Sequence, residues 1–163
     1  MPSGDIGFVI LLVIHITSFT AWVGSAIVLV FSIQPSISIE KARDLLVSAL
    51  PGFSKLVRYS SGGTLISGLV LLGYVDTVDT SVFPTGLGLL LLISGAVLGL
   101  VAFMVAATVI VPTSNKLNGI LSSNSADSVE QFNKLMDTIR SGSRGVLALL
   151  FLVVILMVSG TYL

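Results

Sequence analysis

Residues 6–33 read IGFVILLVIHITSFTAWVGSAIVLVFSI, and this stretch decides the class of the protein. A bilayer's hydrocarbon core is ~30 Å thick and is crossed by ~20 apolar residues of helix. The run is longer than that and contains no acid or base. Lipid offers the backbone no hydrogen bonds, so an unbroken apolar run of this kind reads as helix. A signal peptide has a shorter apolar core and a basic start, and no basic residue precedes Ile6. The run also holds the chain's only histidine, His15, and its only tryptophan, Trp22.

Helical spacing divides the run into two faces. His15, Ser18, Phe19, Trp22, Ser25 and Ala26 recur at steps of three and four and share one stripe. Thr17, Thr20, Ala21 and Gly24 fall on the other side. Neither face is purely apolar, which suggests protein neighbours on both sides of this helix.

Composition agrees with a membrane class. Of 163 residues 54% are hydrophobic and only 10% are charged, against roughly 25% charged in soluble domains. The mean hydropathy is +1.06. Formal net charge is zero, and no basic cluster argues for nucleic acid. The absence of cysteine excludes disulfides, thiolate metal sites and a cysteine nucleophile.

Outward from the first run, the sequence predicts four spans, at about 6–34, 56–75, 86–111 and 145–162, in a single transmembrane domain over 1–163. Pro35 is expected to end the first and Pro112 the third. Glu40–Leu50 reads as a short amphipathic surface helix broken by Pro51 and Gly52. The second span carries Ser60, Thr64, Ser67, Gly68 and Leu71 on one face, where a helix neighbour should pack closely. Asp76–Thr85 reads as a short acidic turn. In the third span Gly88, Gly95, Gly99, Ala102 and Ala106 keep to one stripe, with a Gly-x-x-x-Gly core. Packing within the bundle explains such a stripe better than a dedicated docking groove, because these stripes are usual in helix bundles. Thr113–Ala126 reads as a polar loop. Ser128 and Gln131 then look like a capping box opening a second amphipathic helix, with Val129, Phe132, Leu135, Met136 and Ile139 on its apolar side. The fourth span is rich in Leu, Val and Ile and is expected to face lipid over much of its surface.

All eight Lys and Arg fall in two connections: Lys41, Arg43, Lys55 and Arg58 in one, Lys116, Lys134, Arg140 and Arg144 in the other. The opposite side holds only Asp5, Asp76 and Asp79. The positive-inside rule therefore puts the connections 35–55 and 113–144 in the cytoplasm and both termini outside. The halves also echo each other, each a span ending in proline, then a surface helix, then a second span, as in a parallel two-plus-two repeat.

His15 is the residue with most chemical weight, because an ionisable group inside a span is a functional candidate by default. Three readings stay open: an axial haem ligand, one ligand of a copper site, or a neutral imidazole hydrogen-bonded to a Ser or Thr of the next helix. Met157 lies at a depth similar to His15 and is the candidate partner ligand for a metal, whereas Met104 is nearer the cytoplasmic side. The spans contain no second titratable group for acid–base catalysis.

His15 followed by Trp22, Val23 and Gly24 near the start of a first span resembles the small four-helix membrane proteins around the copper-resistance D (CopD) family and the haem-linked protoporphyrinogen oxidase HemJ family. The resemblance covers this helix and the four-span layout. It implies a bundle in which His15 meets a metal or haem. Two features depart from those families: there is no second histidine, and the third span has no lysine.

The expectation is thus an all-α, four-helix membrane bundle with two short cytoplasmic amphipathic helices, self-associated or packed with other membrane subunits. The small-residue positions expected to pack helices are Gly24, Gly68, Gly88, Gly95, Gly99, Ala102 and Ala106. The function expected is that of a non-catalytic accessory subunit of a larger membrane complex, for example a respiratory enzyme or a copper-dependent membrane monooxygenase. The alternative is a copper- or haem-associated protein using His15 as a ligand.

Overall fold

A computed structural model of the chain describes residues 6–32, 39–78, 86–123 and 128–162, with side chains over 6–31, 48–74, 86–121 and 130–162. The stop at Pro35, the side chains of Lys41 and Arg43 and most of the acidic turn lie outside what is described. Every element among the described residues is helical. In order they are α1 (Ile6–Ser32), α2 (Ile39–Val78), α3 (Leu87–Val105), a π-helical segment (Ala106–Ile110), α4 (Val111–Ser123) and α5 (Ser128–Tyr162). Since α3, the π segment and α4 follow without a break, they form one rod, and the described residues make four helices.

Among the described residues three stretches are long and apolar enough to cross a membrane: Ile6–Phe31, Leu87–Leu121 and Glu130–Tyr162. Among the described residues α2 is not one of them; its stretch 56–74 carries Arg58 and the small or polar residues Ser60, Ser61, Gly62, Gly63, Thr64 and Ser67. Its burial runs opposite to that of a helix in water. Ser60, Ser61, Thr64 and Ser67 are buried, while Tyr59, Ile66, Leu69 and Val70 are exposed. The buried hydroxyls are satisfied inside the helix: Ser61 donates to the Val57 carbonyl at 2.6 Å and Thr64 to that of Ser60 at 2.8 Å.

The helices are longer than the punctuation in the sequence suggests. Pro51 does not end a helix but lies inside the 40-residue α2. An interior proline costs ~3 kcal/mol through a lost hydrogen bond and a clash. The flanking residues hold the helix on: Leu50 and Val57 are both in the main core. Pro112 does not end the third span either. The Val111 N–H reaches back to the Ala106 carbonyl, a π-type bond, and α4 starts afresh at Val111. Pro112 thereby falls in a first helical turn, where its missing N–H is dispensable. The expected loop at Thr113–Ala126 is helical as far as Ser123, and α5 runs through Ser141, Gly142 and Ser143 into the last apolar stretch. Neither surface helix expected from the sequence is a separate element. Pairing the two halves by their prolines fails too, because Pro112 is mid-rod.

Packing forms two antiparallel pairs, α1 with α2 and α3 with α5. The rings of Phe8 and Tyr74 meet at 6.2 Å, which sets the start of α1 beside the end of α2. Gly88 and Gly160 set the start of α3 beside the end of α5. The pairs join where α2 packs on α4 and α1 on α5, and the core lies there. Trp22, Leu50, Val57, Ala106, Leu117, Ile139 and Leu150 belong to one buried cluster. This same end of the bundle holds Lys55, Arg58, Lys116, Lys134, Arg140 and Arg144, all on the elements that supply the cluster.

Candidate functional site

The site is the junction of α1 and α2 around His15. The α1 stripe read from the sequence is the inward face: Trp22, Ser25 and Ala26 are buried, and His15, Ser18 and Phe19 are half-buried. Thr17 and Thr20 are exposed. From α2 the expected face of Ser60, Thr64, Ser67 and Gly68 meets this stripe.

His15 Nδ1 lies 3.0 Å from the Thr64 carbonyl oxygen and 3.1 Å from Ser67 Oγ. A carbonyl only accepts, so Nδ1 carries the proton and donates it. The Ser67 hydroxyl donates to the Gly63 carbonyl at 2.5 Å, which leaves its oxygen to accept the second branch of the imidazole bond. Nε2 has no hydrogen-bond partner among the described residues, and it carries a free lone pair whenever the imidazole is neutral.

Gly68 makes room for the ring. A Cβ built there would stand 2.9 Å from His15 Cε1. One turn along, a Cβ at Gly63 would stand 2.8 Å from Ser18 Oγ. Two glycines of α2 therefore accept two polar side chains of α1. Ser18 lies on the stripe read from the sequence, but Gly63 was not singled out, although the Gly62-Gly63 pair, five residues before Gly68, was a visible signal.

The α3 stripe faces α5. Gly88, Gly95, Gly99 and Ala102 are buried, as is Ala106 in the π segment. Met157 packs on Gly95, with Cγ 3.1 Å from where a Cβ would be. A Cβ on Gly160 would meet the Gly88 carbonyl oxygen at 2.9 Å. The stripe is filled from within the chain, so it is not an external docking groove. Gly160, which sequence reasoning passed over, is the tightest point. Gly24 and Gly99 make no such close approach, since an added Cβ at either meets nothing within 4 Å.

Of the two candidate ligands, His15 is engaged by α2 and Met157 packs on Gly95 of α3. Among the described residues no three His, Cys, Asp or Glu side chains gather into a metal site. The one ring nitrogen here open to a haem or copper ion is Nε2 of His15. No family model, curated protein or solved structure matches this chain.

Proposed function

We propose that the chain is a four-span membrane bundle acting as a non-catalytic accessory subunit of a larger membrane complex, such as a respiratory enzyme or a copper-dependent monooxygenase. One observation carries this reading: the only histidine is held by α2 through Thr64, Ser67 and Gly68, so it acts as a rivet between two helices. A neutral histidine bonded to a neighbouring helix is satisfied in lipid at modest cost.

The reversed burial of α2 supports its being the fourth span. Hydroxyls turned inward and Ile66, Leu69 and Val70 turned outward suit a solvent of hydrocarbon chains. The bases gathered at one end support a topology with that end in the cytoplasm and both termini outside. α1 leaves a face for neighbours. It is the least buried of the three apolar stretches, 6% against 22% for the others. Thr17, Thr20 and the unfilled Gly24 lie along that open side.

A second reading has its own observation. A histidine that ligates a metal commonly gives its other N–H to a backbone carbonyl, which fixes the tautomer and aims the ligating nitrogen. His15 has that arrangement, with Nδ1 on Thr64. In this reading the chain resembles the CopD and HemJ groups in role, with Nε2 completing a copper or haem site on a partner.

Gentle detergent purification from the native membrane tests both. The accessory reading expects a colourless, copper-free chain running with larger subunits, and an unchanged assembly mass in His15→Asn, which lacks Nε2 but keeps an N–H donor. A Soret band or stoichiometric copper that disappears in His15→Ala would replace it with the ligand reading.

A further inference from the structure

A groove of about 810 Å³ runs between the α3–α4 rod and α5 at the basic end. Its floor is apolar, formed by Val105 and Val109, and Gly142 lies against the latter and Ile110. Its wall is one face of α5, carrying Glu130, Lys134, Asp137, Thr138 and Ser141. The rod is free of charge from Leu87 to Asn115, and α5 is free of charge after Arg144. The groove therefore spans the step from charged to uncharged surface, where a bilayer's headgroups meet its chains.

The wall's hydrogen-bonding capacity is lopsided. Lys134 makes no ion pair among the described residues. Asp137 leans on Arg140 at 3.5 Å yet is largely exposed. Thr138 gives its hydroxyl hydrogen to the Lys134 carbonyl at 2.9 Å, so its oxygen only accepts. Donors to a ligand are then Lys134 and Ser141, while acceptors are Glu130, Asp137 and Thr138. The wall suits a group that is anionic at one point and rich in N–H donors at another, joined to an apolar tail.

We propose that this groove binds a phospholipid with a primary-ammonium headgroup. The phosphate sits at Lys134 and Ser141, the ammonium at Glu130, Asp137 and Thr138, and an acyl chain lies along Val105 and Val109. A quaternary ammonium has no N–H to give, and an anionic headgroup meets two carboxylates. The proposal rests on the membrane-spanning reading above.

The test is native mass spectrometry of the full chain in detergent with phosphatidylethanolamine, phosphatidylcholine and phosphatidylglycerol of identical acyl chains, and with soluble glycerophosphoethanolamine. The expected result is phosphatidylethanolamine retained about tenfold over phosphatidylcholine, as one added charge-assisted hydrogen bond would give. Lys134→Ala and the pair Glu130→Gln with Asp137→Asn should erase the preference, whereas Lys116→Ala should keep it. All these side chains lie at the surface, and thermal melting in detergent checks that each variant folds. Equal retention of the three lipids overturns the proposal, as does a preference for phosphatidylglycerol. Binding of the soluble headgroup as tightly as the lipid also overturns it, in favour of a free phosphoryl ligand. Extraction of membranes with alkaline carbonate separates the two failures. A chain that stays in the membrane but has no headgroup preference sinks only the lipid site. A chain that is released sinks the spanning reading and this proposal with it.

Discussion

At the scale of single residues, His15 and Gly68 act as one unit. A Cβ at Gly68 would stand 2.9 Å from the imidazole, so Gly68→Ala must displace the ring from Thr64 and Ser67. A cost of about 1–3 kcal/mol follows, as for other overpacked contacts. In a His15→Ala background the same substitution should cost less than about 0.5 kcal/mol, because the ring it strikes is gone. Chemical or thermal unfolding of the four species in detergent measures this coupling, and simple additivity would refute it. Glycines elsewhere should differ by what faces them. Gly160→Ala meets a backbone oxygen that cannot rotate away and should loosen the α3–α5 pair by about 2–3 kcal/mol. Gly99→Ala meets open space and should be neutral or stabilise by up to about 1 kcal/mol, the helix-propensity gain. The sequence made His15 and its Ser or Thr neighbour legible, because polar groups in a long apolar run must find each other. It hid Gly160, since a lone glycine among Leu, Val and Ile carries no stripe to betray it.

At the scale of elements, the π segment keeps the rod in register. Ala102, Ala106, Ile110 and Ser114 are all buried although they advance by three successive steps of four. On a straight helix of about 3.6 residues per turn those twelve residues would drift by about 120°. The extra residue of the π turn absorbs most of that drift, so the small-residue stripe above and Leu117 and Leu121 below both face inward. Deleting exposed Thr108 together with Pro112→Ala should turn the π segment into ordinary helix with both stripes aligned, and the chain should fold with near-normal stability. Deleting Val97, an exposed residue between Gly95 and Gly99, should rotate the two parts of the α3 stripe by about 100° relative to each other and abolish folding. Yield and monodispersity in size-exclusion chromatography compare the two, and equal damage by both deletions would contradict the register argument. Here the residues misled in a physical way. Pro51, Pro112 and Ser141–Ser143 are breakers by local propensity, yet flanking core contacts and the π turn carry the helices through. The runs of four were a signal of the π turn in plain view, but a period reading that allows three or four alike is blind to it.

At the scale of the whole molecule, the arrangement is two antiparallel helix pairs joined at a basic, well-packed end. Helical class and apolar length were legible because hydrocarbon demands them directly. The standing of α2 was harder to read, because its inward face is polar and its length is shared between a charged start and an apolar finish. The central claim is that α2 crosses the membrane and makes four spans of three obvious ones. The chain has no cysteine, so single-cysteine variants report without background. The most direct measurement is labelling of Ser36→Cys and Ser81→Cys with a membrane-impermeant maleimide, in intact cells and after permeabilisation. Four spans predict opposite sides, with position 81 labelled from outside and position 36 only after permeabilisation. Labelling of both positions from the same side would contradict the account and leave α2 lying against three spans.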